Sequence, residues 1–145
     1  MKNLEYHSEA LPEGRSSFHP HARVVGDFIY ISGIIARKKG ISEIPGVSYD
    51  GAGNVTGFDV VEQFEAIVDN LKILLEELDS SLENIIDITV FLTDIGRDFR
   101  KFNEVYGKHF AHIMPCRTTV EVTRFPSPVC IELKVIAIKQ DQNEG

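Results

Sequence analysis

PCRTTVEVTRFPSPVCIELKVIAI, running from Pro115 to Ile138, reads as two β-strands separated by a proline-rich turn, Phe125-Pro126-Ser127-Pro128. In the first strand Arg117, Thr119 and Glu121 share one face, and Val120 and Val122 the other. In the second, Glu132 and Lys134 alternate with Ile131, Leu133 and Val135. A guanidinium or carboxylate in a largely apolar sheet is costly unless it is paired or faces a ligand cavity. One reading is an ordinary polar sheet face, with Arg117 and Glu132 as a cross-strand ion pair or paired instead with Glu121 or Lys134. The other is an anion-binding arginine facing a carboxylate that orients water. That arrangement suits hydrolysis of a small carboxylate-bearing substrate without a metal or cofactor.

Upstream of this stretch, the spacing of Phe99, Phe102, Val105, Tyr106 and Phe110 predicts a helix capped by Asp98 and stopped at Met114-Pro115. Ile86, Ile88, Val90 and Leu92 alternate with Asp87, Thr89, Phe91 and Thr93, as in a strand with one core face. A longer helix starts at Asp59, with Glu62 three residues on as in a capping box. Its apolar side is Phe64, Ile67, Val68, Leu71, Leu74, Leu75 and Leu78, and Ser80-Ser81 breaks it. Residues 36 to 58 are glycine-rich and read as a long loop with one short strand around Val47 to Tyr49. Before it, ARVV and FIYIS flank Gly26-Asp27 as a tight hairpin, placing Phe28, Tyr30 and Ser32 opposite Ile29, Ile31 and Gly33.

The order β-β, loop, α-β-α-β-β implies an α+β or α/β domain with helices on one face of a mixed sheet. A chain of 145 residues makes one domain, with an irregular segment over residues 1–21 and a tail at 140–145. A net charge of −7, with Arg37-Lys38-Lys39 as the basic cluster, argues against nucleic acid as a partner. No apolar run reaches membrane-spanning length and no signal-peptide core is visible, so a cytoplasmic location is expected. Cys116 and Cys130 are then expected as buried free thiols. His19-Pro20-His21 and His109/His112 lack the further ligands a metal site needs, and no phosphate-cradling loop occurs, so no metal and no cofactor is expected.

Five segments in fixed order carry a further signal: Ser32-Gly33, FLTD (91–94), FNEVYG (102–107), PCRTTVEV (115–122) and IELKVIA (131–137). Together they resemble the reactive intermediate deaminase (RidA, or YjgF) family, from roughly Ala22 to Lys139. The resemblance implies a chorismate-mutase-like α+β fold, two helices on one face of the sheet, and a homotrimeric barrel with ligand clefts at subunit interfaces. It implies hydrolysis of an imine or enamine to a keto compound and ammonia. In that scheme Arg117 clamps the substrate carboxylate and Glu132 holds and activates water. Ser32, Gly33 and Thr119 line the pocket, and Asn103 supports it. The run HPHARVVGDF (19–28), the Arg37-Lys38 pair and the long 36–58 loop look closest to 2-aminomuconate deaminase, whose dicarboxylate substrate needs a second cation such as Arg37. Some family members are described instead as endoribonucleases or translation inhibitors, and a non-catalytic carboxylate-binding trimer is a third possibility. A tyrosine common in the family is replaced here by His19, and the glutamine after Ser-Gly by Ile34.

Overall fold

The computed structural model describes residues 3–13 and 18–140. Strands β1 (Asn3–Tyr6), β2 (Ala22–Val25), β3 (Phe28–Ile34), β6 (Ile85–Leu92), β7 (Cys116–Glu121) and β8 (Ile131–Ile138) form one sheet in the order β1-β2-β3-β8-β6-β7. Helices α1 (Val60–Glu77) and α2 (Ile95–Phe110) cover one of its faces, while β4 (Val47–Tyr49) and β5 (Val55–Phe58) form a separate hairpin. All pairings in the main sheet are antiparallel except β6 with β7, which are parallel and joined through α2.

Each helix begins where a carboxylate can satisfy an orphan backbone N–H. Asp59 accepts from the Glu62 N–H at 3.1 Å and starts α1. For α2 the cap is Asp94, which accepts from the Arg97 N–H at 2.9 Å. The expectation of Asp98 as the cap is therefore wrong by one turn. Asp98 is buried instead, and takes a bidentate pair of hydrogen bonds from Arg97 at 2.8 and 2.6 Å. A single 3₁₀ turn, Leu82–Asn84, carries the chain from the serine break into β6.

Apolar residues at helical spacing on α1 and α2 meet the alternate apolar positions of the sheet. Phe64 sits at the centre, fully buried, with the rings of Phe102, Tyr106 and Phe110 packed around it at 5.3, 6.0 and 6.3 Å. Below lie Ile88, Val90, Ile131, Leu133 and Val135, all without solvent exposure. The opposite face of the sheet has no layer of helices. There Phe28 and Tyr30 remain 45% and 42% exposed.

Three further readings need correction. Residues 3–6 are a strand rather than part of an irregular segment, because Asn3–Tyr6 pairs in register with Val25–Ala22. The 36–58 segment holds two strands, its second (Val55–Phe58) returning antiparallel to the first across the Asp50 turn. Cys116 is exposed because it opens the edge strand β7, whereas Cys130 is buried beside Gln63. Replacing Phe64 with alanine would empty the centre of the aromatic cluster. The expected loss is about 3–5 kcal/mol of unfolding free energy, read as a lowered urea midpoint at unchanged slope.

Candidate functional site

Register decides where the two charged side chains go. Arg117 pairs with Ile88 across the parallel β6–β7 ladder, so it leaves the sheet on the buried, helix-covered side. Glu132 pairs with Phe91 and alternates with buried Ile131 and Leu133, so it leaves on the other side. Strand β6 stands between β7 and β8. Within one chain the two neither form a cross-strand ion pair nor face a common hollow.

Arg117 is built into the edge formed by β7 and α2. Its guanidinium lies over the Tyr106 ring at 4.7 Å and 5.8 Å from those of Phe99 and Phe102. Its Nη1 donates to Asn103 Oδ1 at 2.8 Å. Asn103 and Tyr106 stand three apart on α2 and therefore share a face. This packing leaves the guanidinium aimed but not neutralised by any carboxylate among the described residues. Thr119 lies on the same side of β7, and its Oγ1 is buried without a hydrogen-bond partner among the described residues, as is the Tyr106 hydroxyl. Burial raises the Tyr106 phenol above its ordinary pKa while the Arg117 charge opposes the shift. Tyr106 was legible only as part of a helix's apolar stripe, yet it is the stacking platform for Arg117.

Glu132 belongs to a different neighbourhood, a cavity of about 280 Å³ at the end of β3 that Arg117, Asn103 and Thr119 do not line. Here the β3–β8 register slips between Ile31 and Ile34. The bulge breaks the alternation, so Ile34 is buried and Gly33 faces outward. A Cβ on Gly33 would stand 2.8 Å from Glu132 Oε2 and 2.9 Å from its Cδ, so only glycine allows the carboxylate this position. Ser32 is a strut: its Oγ donates to the Pro20 carbonyl at 2.7 Å and its N–H to the His21 carbonyl at 3.1 Å.

The floor of the same cavity includes Arg37, carried on a loop that is tied down from α1. Buried Asn70 donates to the carbonyls of Ile35 and Arg37 at 3.0 and 3.1 Å. It accepts from Lys38 Nζ at 2.8 Å, and Lys38 also donates to the Ala66 carbonyl at 2.9 Å. The Arg37 guanidinium itself has no partner among the described residues. No group of three or more potential metal ligands occurs among them either.

Burial raises the pKa of Glu132, and the charge of His19 partly opposes this. The sign has a consequence for stability. A carboxyl whose folded pKa is raised favours the fold while protonated, and that contribution is lost as pH rises through the folded value. Glu132→Gln should therefore match the wild type in acid and exceed it at neutral pH. Urea midpoints compared at both pH values would show a gap that opens as pH rises.

Comparison with known proteins gives a consistent result. The family model described as Endoribonuclease L-PSP matches residues 9–139. A RutC family protein of Pyrococcus abyssi is 39% identical over 116 residues, covering 80% of this chain and 82% of the relative. The mitochondrial protein Mmf1 of Saccharomyces cerevisiae is 31% identical over 134 residues, covering 92% and 83%. Among solved structures, the yjgF gene product of E. coli superposes with a TM-score of 0.77 at 27% identity, covering 94% of this chain and 99% of that one.

Proposed function

The chain belongs to the Endoribonuclease L-PSP family, the group that includes the RutC and YjgF proteins, and on that footing we propose that it is an imine/enamine deaminase. Its substrate is a small carboxylate, 2-aminomuconate or a 2-imino acid, hydrolysed to the keto compound and ammonia. The observation that carries this reading is the Glu132 carboxylate, held against Gly33 at the wall of a cavity by burial that raises its pKa. Such a group takes a proton from water near neutral pH more readily than an ordinary glutamate does.

An iminium carbon is already electrophilic, so the protein need only position water and move protons. Glu132 removes a proton from the attacking water and returns it to the departing nitrogen. Arg117 holds the substrate carboxylate through its two-pronged guanidinium, steered by Asn103 and the Tyr106 ring. Because Arg117 and Glu132 lie on opposite sides of one sheet, the site is completed between copies. In a homotrimer the uncovered sheet faces, with Phe28 and Tyr30, close into a barrel, and the Arg117 edge of one copy meets the Glu132 cavity of the next. Gly33 and Ser32 shape the cavity wall, and Thr119 lines the arginine half. Arg37, fixed by Asn70 and Lys38, meets a second carboxylate. An endoribonuclease activity, which the family description carries, sits poorly with a net charge of −7 and no basic stripe.

Ammonia release from 2-aminomuconate and from freshly generated 2-iminobutyrate tests the reading. Glu132→Ala and Arg117→Ala should each lose nearly all activity, and mixing the two unfolded chains before refolding should restore part of it. Full activity in Glu132→Ala would end the proposal. Titration of the Arg117→Ala protein with 2-ketobutyrate should show binding weaker by about 1.5–3 kcal/mol. Turnover without loss in that variant would move the carboxylate clamp elsewhere. Arg37→Ala should raise KM for 2-aminomuconate roughly tenfold or more while sparing 2-iminobutyrate, in keeping with one charge-assisted contact. Equal losses on both substrates would remove the second clamp.

A further inference from the structure

The cavity that holds Glu132 also presents a second proton-carrying side chain, His19. Its segment is fixed rather than loosely draped. Ser32 fastens the carbonyls of Pro20 and His21, and the His21 N–H donates to the Tyr6 carbonyl at 3.0 Å. The His21 ring is fully engaged, accepting from the Ser8 N–H at Nδ1 and donating from Nε2 to the Pro12 carbonyl, each at 2.8 Å. Among the described residues His19 has no such commitment. Its Nδ1 makes only a 3.3 Å contact with the Pro20 carbonyl, which leaves Nε2 to exchange a proton. Among the described residues, the charged or titratable groups sharing the cavity with it are Glu13, His21, Arg37 and Glu132. His19 and Glu132 line the same cavity wall, and the charge of His19 opposes the rise that burial causes at Glu132.

We propose that His19 is a catalytic acid that protonates the β-carbon of an enamine substrate, so that this chain consumes enamines directly instead of waiting for their spontaneous conversion to imines. The assignment rests on the deaminase reading above. An enamine is nucleophilic at its β-carbon, and water cannot add until that carbon has gained a proton. Glu132 is the water base and is a carboxylate when it begins, so the carbon proton needs another source. A protonated imidazole can supply it.

The steps balance. The Nε2–H of His19 passes its proton to the β-carbon, and the enamine π electrons form the new C–H bond while the nitrogen lone pair forms C=N. Water adds to the iminium carbon, Glu132 takes one of its protons, and a carbinolamine results. Protonated Glu132 delivers that proton to nitrogen, the C–N bond breaks with its electron pair leaving on ammonia, and the carbinolamine hydroxyl proton goes to Glu132. Transfer of this proton from Glu132 to His19 resets both groups. The sum is enamine plus water giving ketone plus ammonia.

Two substrates separate this role from a general one. 2-Aminocrotonate, made in place by a threonine dehydratase, is an enamine. 2-Imino-2-phenylacetate, made by an amino-acid oxidase from phenylglycine, has no β-hydrogen and no enamine form. In His19→Phe, the ratio of kcat/KM for the first to that for the second should fall by about 100-fold, the scale of one general acid. In D₂O the wild type should place deuterium on one face of C3 of 2-ketobutyrate, trapped at once by reduction, and His19→Phe should give both faces equally. An unchanged ratio with one-sided deuteration in the variant would overturn the His19 assignment while leaving the deaminase reading in place. Absence of ammonia release by the wild type from both substrates would overturn the reading, and the assignment with it.

Discussion

Because β6 runs between β7 and β8, parallel to the first and antiparallel to the second, Arg117 and Glu132 cannot meet across a shared ladder. Side-chain alternation then sends one toward the helices and the other away from them. Each of the two side chains is consequently positioned by its own neighbours. The arginine rests on an aromatic platform from α2, and the glutamate on a glycine from a bulged strand. Among the described residues neither forms a salt bridge. The two lie apart on one chain, and the sheet face without helices leaves Phe28 and Tyr30 exposed.

The bulge in β3 is the second constraint from which the site follows. It turns Gly33 outward and lets Ile34 take the buried place that strict alternation would have assigned to Gly33. It also leaves Ser32 free of the ladder register, so its hydroxyl and N–H fasten the segment carrying His19, Pro20 and His21. One local irregularity thus bears on the glutamate, on the cavity it lines and on the segment that carries His19. The result is a carboxyl that burial biases toward its protonated form, in a cavity that His19 also lines.

Much of this was legible in residue order. The apolar spacing of α1 and α2 and the alternation in β6 and β8 are periodic signals that local geometry enforces, and these elements formed where they were read. Less periodic segments were misjudged for physical reasons. Strand β1 is short and polar, and exists because β2 offers it an edge. The α2 cap shifted to Asp94 because Asp98 is consumed by Arg97 in the interior, a preference no local pattern reveals. The family resemblance named Asn103 as support for the site, whereas Tyr106 was legible only as part of an apolar stripe and not as a platform for Arg117. The clamp of Asn70 and Lys38 on the Arg37 loop could not be foreseen, since it joins residues more than thirty positions apart.

The chain by itself determined which segments are helix and strand, which faces are apolar, and that an arginine and a glutamate stand where strands rarely hold charges. Those properties follow from short-range sterics and from periodicity, which act between residues a few positions apart. Strand order, the slip in register at Ile31 to Ile34, and the opposite directions of Arg117 and Glu132 were decided only by tertiary structure. They depend on which distant strands share hydrogen bonds, and pairing energies between remote backbone groups leave no trace in local spacing.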